Sequence, residues 1–463
     1  MSYGYVITYN SANTDITNVQ YYDVEGNLQS AMRGSGTGPS AINQYWAFDE
    51  STGRGPFNSF YCAINLADYS SSGAPSEFST EPPLSRKAGA IAYILRPSDL
   101  TKTLEGTTIT GGYNGKYNIM LAIPTVYRYV DTSNNRLYMT DDPDFEYFSS
   151  TVKAGLSAKG HTVHTGDKST SLRTYKYLMV GVYQGIVKNN KLLSVGGNTN
   201  NPTGGKTIAD FRTYATANST AKGRYGIMTY YQWQLCKMMM YTVLGTKDAS
   251  SKLGAGCTNI QSIVPTGRSE SQGPYYNGNS TAKVLLENPY GGMFDALDCT
   301  FLAANTRNFY TEALFGEYGS DYYGSLNKVL ANAIPDTSGY ITSTKIGPEL
   351  WDLVSTVGST DAGMGYHTTG NSGSILAVGG AHNNPTANAN IGSVTTYFNP
   401  SSTDNRLGAR LAYLYDGNDI EQKKVDVRVN GAWRRAEPYV NVNGTWKPAE
   451  ISMKDNGTWK ESK

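Results

Sequence analysis

Apolar and polar residues follow one another along the first half of the chain in a pattern that predicts short β-strands. Residues 91–95 (IAYIL) form a β-prone run that closes at Pro97, and residues 117–124 (YNIMLAIP) form a second run that ends in its own proline. Proline lacks the N–H that a strand ladder needs, so it marks the end of each strand. Residues 126–130 and 175–183 continue the same pattern.

Two segments follow the period of a helix instead. The first begins near Thr207, which can cap residues 208–211. The second begins after Thr229, and Gln232 three residues later completes the pattern of a capping box. Residues 230–244 then carry apolar side chains at spacings of three and four, and Gly245 follows as a C-terminal stop. We interpret this apolar stripe as core rather than as a cofactor site.

The remaining segments contain few regular patterns. Residues 1–85 are rich in Tyr, Asn, Ser and Gly and hold no motif, and residues 245–340 are rich in glycine. The sequence Asn-Gly-x-Trp recurs at residues 430–433, 443–446 and 456–459. Asn-Gly between β-prone flanks predicts a two-residue hairpin, because a type I′ turn needs positive φ at both positions. We favour hairpins that pack their own tryptophans over hairpins that present them to a sugar or protein partner.

Composition excludes several classes of function. Lys and Arg total 39 and Asp and Glu total 38, so the basic excess typical of nucleic-acid binding is missing. The start of the chain does not read as a secretory signal, and the apolar runs are far shorter than the roughly 20 residues of a membrane span. We therefore expect neither membrane insertion nor nucleic-acid binding. The four cysteines are scattered without a CxxC pair, so we expect no metal or redox site from them.

The sequence lacks the common catalytic motifs. The sequence has no GxSxG elbow, no HExxH pair and no phosphate-binding glycine loop. His161 and His164 fall in a polar segment, and His367 and His382 fall in Asn- and Gly-rich segments, so we interpret all four as polar surface residues. Residues 141–144 hold three aspartates around Pro143, which we interpret as a turn and not as a calcium loop. The expectation is a protein that is not an enzyme and holds no metal or cofactor.

Several blocks in residues 86–415 resemble, in order, the C-type-lectin-like domain of phage and archaeal-virus adhesion proteins, which is related in fold to the formylglycine-generating enzyme. The blocks are residues 118–127 (NIMLAIPTVY), 181–185 (GVYQG), 193–197 (LSVGG), 228–235 (MTYYQWQL), 287–298 (ENPYGGMFDALD) and 405–413 (NRLGARLAY). Within the fifth block, Gly292 and Phe294 depart from the family's Asn and Trp.

The resemblance implies an α+β fold of the C-type-lectin-like kind, with two helices, a mixed twisted sheet and long loops. It divides the chain into a β- and loop-rich N-terminal segment at 1–85 for virion attachment or oligomerisation, the lectin-like domain at 86–416, and the C-terminal hairpins at 417–463. Enzyme relatives carry an active cysteine pair near the C-terminal end of the domain, whereas no cysteine follows Cys299 here. The Glu-Pro-Asn and Gln-Pro-Asp triplets of calcium-dependent sugar binding are also missing.

In retroelement-diversified relatives, loops just before the closing strand form the binding face, and the matching stretch here is 364–405. Tyrosine supplies contact area at low entropic cost, and asparagine supplies adaptable hydrogen bonds. The alternative is that this stretch only forms turns. The residues expected to bind ligand are Tyr366, His367, Asn371, His382, Asn383, Asn384, Asn388, Asn390, Tyr397 and Asn399.

The sequence thus predicts a receptor-binding or adhesion protein of a virion, in the tail or on the capsid surface. Its expected partners are a host cell-surface protein or glycan, other virion proteins, and further copies of itself in a homo-oligomer, with a trimer as one option. The first rival is a structural virion component, such as a capsid decoration, head-fibre or tail protein without receptor binding. A formylglycine-type oxidase ranks last.

Overall fold

A computed structural model gives the structure of the protein. It describes residues 3–23, 25–30, 47–69, 83–109, 115–164, 171–220, 223–278, 280–303, 307–316, 328–331, 334–347, 351–370, 373–385 and 388–417, together with the C-terminal strands named below. Contacts divide the chain into two units, Met1–Asp416 and Gly417–Lys463.

The described elements are mostly strands. The strands up to residue 140 are β1 (Gly4–Tyr9), β2 (Ile16–Tyr22), β3 (Leu28–Ser30), β4 (Phe60–Asn65), β5 (Ile91–Arg96), β6 (Asp99–Thr103), β7 (Tyr117–Pro124), β8 (Tyr127–Asp131) and β9 (Arg136–Thr140). Those up to residue 331 are β10 (Thr162–His164), β11 (Leu172–Thr174), β12 (Tyr177–Gly181), β13 (Ile186–Lys188), β14 (Lys191–Leu193), β15 (Gly223–Ile227), β16 (Tyr275–Gly278), β17 (Thr281–Val284), β18 (Leu286–Glu287), β19 (Phe294–Ala296), β20 (Thr300–Leu302), β21 (Phe309–Thr311) and β22 (Lys328–Ala331).

The remaining strands of the first unit are β23 (Gly339–Ile346), β24 (Trp351–Gly358), β25 (Tyr366–Thr368), β26 (Ala377–Val378), β27 (Val394–Thr395), β28 (Leu407–Gly408) and β29 (Leu411–Tyr415). The helices among the described residues are α1 (Ser150–Gly155), α2 (Ile208–Thr216), α3 (Tyr230–Leu244) and α4 (Ala249–Leu253), with a short 3-10 turn at Pro56–Asn58. The predicted strands and the two predicted helices are thus present, and residues 245–340 contain more short strands than their glycine content indicates.

Three larger sheets and several smaller ones are formed by the described residues of the first unit. One has the order β3-β2-β1-β9-β8, the second β15-β29-β12-β7-β4-β5-β6, and the third β24-β23-β25-β27-β26-β19-β28. The third sheet is mixed, because β19 pairs in parallel with β28 and β25 pairs in parallel with β27. The molecule is therefore mostly β-sheet with few helices, which is compatible with the predicted α+β class.

The segment 1–85 shares this unit with the residues that follow it. Strand β4 lies between β7 and β5 in the second sheet, and β1 pairs with β9. The structure therefore places no boundary near residue 85. Strand pairing between residues far apart in sequence leaves no local signal, which is why composition alone suggested a separate segment.

Helix α3 lies wholly inside the molecule. Thr229 and Gln232 form the predicted capping box, and Gly245 ends the helix in the left-handed conformation with φ 64°. All of its residues are buried, the polar ones included. The sequence predicted only an apolar stripe, so the full burial of the helix is a finding of the structure.

A buried carboxylate fixes α3 to the third sheet. Asp352, at the start of β24, lies 3.1 Å from the ammonium of Lys237 on α3 and also contacts the ammonium of Lys247. Lys247 donates in addition to the carbonyl of Asn13 at 2.7 Å and to the hydroxyl of Thr344 at 3.0 Å. Burial opposes ionisation of Asp352, but the two lysines outweigh it and hold its pKa below the usual range.

The described residues of the second unit form paired strands. Strands β30 (Val425–Val429) and β31 (Ala432–Ala436), β32 (Tyr439–Val442) and β33 (Thr445–Pro448), and β34 (Ser452–Asp455) and β35 (Thr458–Glu461) pair two by two in antiparallel fashion. The antiparallel strand pairs predicted around each Asn-Gly-x-Trp repeat are therefore present, whereas the Asn-Gly turns lie outside the described residues and the packing of the tryptophans stays a prediction. Among the helices that the structure describes, none is long and apolar enough to cross a membrane.

Candidate functional site

The stretch 364–405 includes loops at one end of the third sheet. Strands β25 and β27 run in parallel, and β23 runs antiparallel to β25. The segments after β25 (369–370), after β27 (396–397) and before β23 (334–338) therefore meet at the same end of the sheet. We call these three segments the loop cluster.

Arg307 forms hydrogen bonds to different segments of the loop cluster. Its guanidinium donates to the carbonyl of Gly370 at 3.1 Å, to the carbonyl of Pro335 at 2.7 Å and to the hydroxyl of Thr369 at 3.0 Å. Partial burial lowers the pKa of Arg307, while the charge of Asp336 acts in the opposite direction. A planar group with five donors suits this task, because one side chain can satisfy acceptors on several segments.

His367 lies beneath the loop cluster and is fully buried. Its Nε2 lies 3.1 Å from the carbonyl of Pro335, the same oxygen that Arg307 contacts. Burial lowers the pKa of His367 to about 4, so the ring is neutral at pH 7. The expectation of a polar surface histidine was wrong here, and the burial leaves no exposed surface on this side chain for ligand contact.

Tyr397 is the aromatic residue of the loop cluster, and its ring is exposed. Its exposure is 53%, whereas its neighbours Thr396 and Phe398 are exposed by 0% and 1%. A side chain at Gly370 would place its Cβ 2.2 Å from the Cα of Tyr397, so only glycine permits the two segments to approach this closely. The buried neighbours hold the backbone while the phenol ring points to solvent.

An ion pair lies near this ring. Arg406 donates to both carboxylate oxygens of Asp404 at 2.9 and 2.7 Å, which raises the pKa of Arg406, and the Tyr397 phenol adds a smaller contribution in the same direction. These hydrogen bonds hold the pKa of Asp404 below its usual range. Asn399 is exposed, and its side chain accepts from the backbone N–H of Ser401 at 3.0 Å.

Tyr366 forms part of a second aromatic surface. Its ring is half-buried and meets the ring of Tyr340 edge-on, with the centroids 5.2 Å apart. The two residues face each other across the β23–β25 ladder, and the flanking Gly339–His367 pair is buried. Both rings therefore lie on the outer face of the sheet.

The turn at residues 381–384 presents one side chain and uses its neighbours for structure. Asn383 is exposed. Asn384 accepts from the N–H of Ala381 at 2.6 Å, and His382 contacts the carbonyl of Gly292 through both its backbone N–H and its ring Nδ1. Asn383 is thus the member of this turn that is available to a ligand.

The other predicted residues are less accessible. Asn390 is 2% exposed and donates to the carbonyl of Gly363 at 2.7 Å, so it supports the loop from inside. Asn388 is half-buried, and its carbonyl accepts from the hydroxyl of Ser393 at 2.9 Å. Asn371 lies outside the described residues.

An open groove of about 430 Å³ lies beside the loop cluster. It is lined by Arg307, by residues 334–337 and by residues 355–357 of β24. Sequence reasoning missed this groove, because it joins three segments that are distant in sequence and none of them contains a motif. Only the spatial pairing of β23 with β24 reveals it.

The cysteines are not poised for chemistry. All four are free and buried. Burial raises the pKa of Cys236 to about 12 and that of Cys257 to about 11, and it raises the pKa of Cys62 further. The thiolate, which is the reactive and metal-binding form, is therefore disfavoured at neutral pH.

The other predicted surface histidines and the turn at residues 141–144 differ from one another in burial and contacts. His161 is fully buried, contrary to expectation, and burial lowers its pKa to about 4. His164 lies 3.3 Å from a carboxylate oxygen of Glu312. Asp142 accepts from the backbone N–H of Asp144 at 2.9 Å, as in a turn. Within the described ranges, no group of three His, Cys, Asp or Glu side chains is placed to hold a metal ion.

Comparisons with known proteins identify no family for this chain. No family model matches the chain, and no curated protein matches it. Among solved structures, the chain is similar to the structure of PvdO from Pseudomonas aeruginosa, with 12% identity over 64% of this chain and 95% of that one. The TM-score is 0.21. A likeness at this level supports no conclusion about fold or function.

Proposed function

We propose that this chain is a non-enzymatic adhesion protein of a virion that binds a host-surface ligand through exposed side chains of residues 364–405. One observation carries the proposal: Tyr397 is half exposed on a backbone whose flanking residues are fully buried. A rigid ring presented in this way contributes contact area without ordering a loop on binding. Asn383, Asn399 and the Tyr366 ring add polar and aromatic contacts from the same stretch.

The proposed framework is a C-type-lectin-like domain. Support comes from Arg410, which is fully buried in the last of the sequence blocks that carry the resemblance. Its guanidinium donates to the carbonyls of Gly181 and Val182 at 3.1 and 2.9 Å, and to the carbonyl of Glu287 at 3.1 Å. Three separate blocks of the resemblance therefore meet at one side chain, which is the behaviour expected of blocks that specify one core.

The test removes the exposed side chains together. The variant Tyr366→Ala/Asn383→Ala/Tyr397→Ala should lose binding of the labelled protein to host cells, while its melting temperature stays close to that of the wild type. The matched control is Leu172→Ala, which removes a side chain that is 56% exposed outside this stretch and should leave binding intact. Unchanged binding of the triple variant, or its unfolding, contradicts the proposal.

The partners proposed with this function are a host cell-surface protein or glycan, other virion proteins, and further copies of the chain. Several copies on one particle convert weak single contacts into avidity.

Hydrogen exchange on intact particles separates this function from that of a purely structural virion component. Protection of residues 364–405 in the particle favours the structural role, whereas free exchange there favours adhesion. A neighbouring reverse-transcriptase gene with a near-copy of the region encoding 364–405 would establish diversification.

A further inference from the structure

The groove beside the loop cluster has walls that are held in place before any ligand arrives. Arg307 and His367 both contact the carbonyl of Pro335, and Arg307 reaches the segment after β25 as well. On the other side, the hydroxyl of Thr356 lies 2.9 Å from that of Thr342 and 2.6 Å from that of Ser343. A preorganised groove loses little conformational entropy when it binds.

The groove surface combines hydroxyl groups, one carboxylate and aliphatic patches. Asp336, Thr337 and Thr356 are exposed, and Ser355 is partly exposed. The side chains of Asp336, Thr337 and Ser355 make no hydrogen bond to other described residues, so their polar atoms face outward. Pro335 and Val357 add half-buried apolar surface. A ligand that fits must offer hydroxyl groups on its edges and C–H groups on its faces.

Charge decides against an ionic ligand. The guanidinium of Arg307 already donates to two carbonyls and to the hydroxyl of Thr369, and Asp336 lies close enough to influence its pKa. An anion would meet an occupied guanidinium and a carboxylate. A divalent cation would meet a single carboxylate, which is too few oxygen ligands for calcium.

The irregular shape of β24 does not favour the addition of a peptide as a further strand of the sheet. This strand is at the edge of the third sheet, where a peptide could pair with it. Its register with β23 shifts at three places, between Ile341 and Ser343, between Ser343 and Thr344, and between Lys345 and Ile346. Bulged edges of this kind resist strand addition.

We propose that the groove between residues 334–337 and β24 is a calcium-independent binding site for a neutral saccharide. This inference rests on the proposed adhesion function and names the class of ligand that the groove takes. The carboxylate of Asp336 accepts a hydrogen bond from one sugar hydroxyl, and the hydroxyl of Thr337, which has no partner among the described residues, hydrogen-bonds to the next. Pro335 and Val357 contact the C–H face of the ring, and the Tyr340–Tyr366 pair extends the surface from the neighbouring β23–β25 ladder for a longer glycan.

The test uses saturation-transfer NMR and calorimetry on the full chain with neutral oligosaccharides of glucose, galactose, mannose and N-acetylglucosamine. A single saccharide unit in an open groove should bind with a dissociation constant on the order of 1 mM. We expect at least one of these probes to bind equally with EDTA and with calcium. Asp336→Ala and Thr337→Val should each weaken that binding by about tenfold, which corresponds to one lost hydrogen bond to a ligand hydroxyl.

The matched control is Glu25→Ala, which removes an exposed carboxylate from the turn before β3 and should leave the affinity unchanged. The inference is overturned if no neutral probe binds, if EDTA abolishes binding, if the groove variants bind as the wild type does, or if an extended peptide displaces the saccharide. Host-cell binding by the wild type, with loss in the Tyr366/Asn383/Tyr397 variant, would keep the adhesion function even then. The two proposals therefore fail separately.

Discussion

Replacing Asp352 with asparagine isolates the contribution of one buried charge to the stability of the first unit. Asp352 adopts a positive φ of 58°, a region that asparagine tolerates well, so Asp352→Asn keeps the backbone and the shape of the side chain. The change leaves Lys237 and Lys247 as buried ammonium groups without a carboxylate. We therefore attribute any loss of stability to charge.

The size of the effect follows from the contacts that remain. Removing one partner of a buried ion pair costs ~3–5 kcal/mol. Lys237 keeps the backbone carbonyl of residue 352 at 2.8 Å, and Lys247 keeps the carbonyl of Asn13 and the hydroxyl of Thr344. These acceptors offset part of the penalty, so we expect a decrease of about 3 kcal/mol in the free energy of unfolding.

The pH dependence gives a second readout. In the wild type, the lowered pKa of Asp352 means that its stabilisation is present above about pH 3.9 and is lost as the pH falls through the folded pKa. In the variant, Lys237, whose pKa burial already lowers in the wild type, binds a proton less readily in the folded state than in the unfolded state, where its pKa is about 10.4. Stability should therefore rise with pH, and the deficit of the variant should shrink under alkaline conditions.

Urea unfolding followed by tryptophan fluorescence measures both effects, because Trp351 packs beside Lys237. The control is Asp144→Asn, in which an exposed carboxylate is neutralised and the midpoint should not move. A loss of less than about 1 kcal/mol, the range of an exposed pair, would refute the reasoning. So would a deficit that grows with pH.

Two further predictions concern buried titratable groups. Burial lowers the pKa of Lys283 to about 8, so the free energy of unfolding should rise between about pH 8 and about pH 10.4. Lys283→Met should flatten this rise, as measured by urea titrations at several pH values. An unaltered slope would show that another group is responsible. The four buried thiols should react with a thiol reagent only after denaturation at neutral pH, and rapid labelling of any of them in the folded protein would contradict their placement.

The sequence predicted the ends of helices and strands well where a residue type such as a capping threonine, a glycine or a proline marks such an end. Thr229, Gln232 and Gly245 mark the two ends of α3 because caps are local. The prolines at 97 and 124 mark strand ends for the same reason. The pairing of β4 with β7 and the meeting of β23, β25 and β27 depend on residues far apart in sequence, so no local pattern announces them.

The candidate site was predictable in composition but not in geometry. Tyr397 and Asn383 were expected to be available and are exposed. His367 and Asn390 have the same residue types as exposed binding residues, but their polar atoms contact Pro335 and Gly363 inside the molecule. Whether a histidine or asparagine points outward depends on its strand register, and register is not visible in a segment of short, two- and three-residue strands.

The close approach of Gly370 to Tyr397 sets a rule for change in this surface. Position 370 must stay glycine, and positions 367 and 390 must keep the groups that support the loops from within. The side chains at positions 383 and 397 are exposed and have no such structural role, so substitutions there should leave the fold intact. Any natural or engineered change in ligand preference on this surface is therefore confined to a few exposed positions that lie between residues required by the fold.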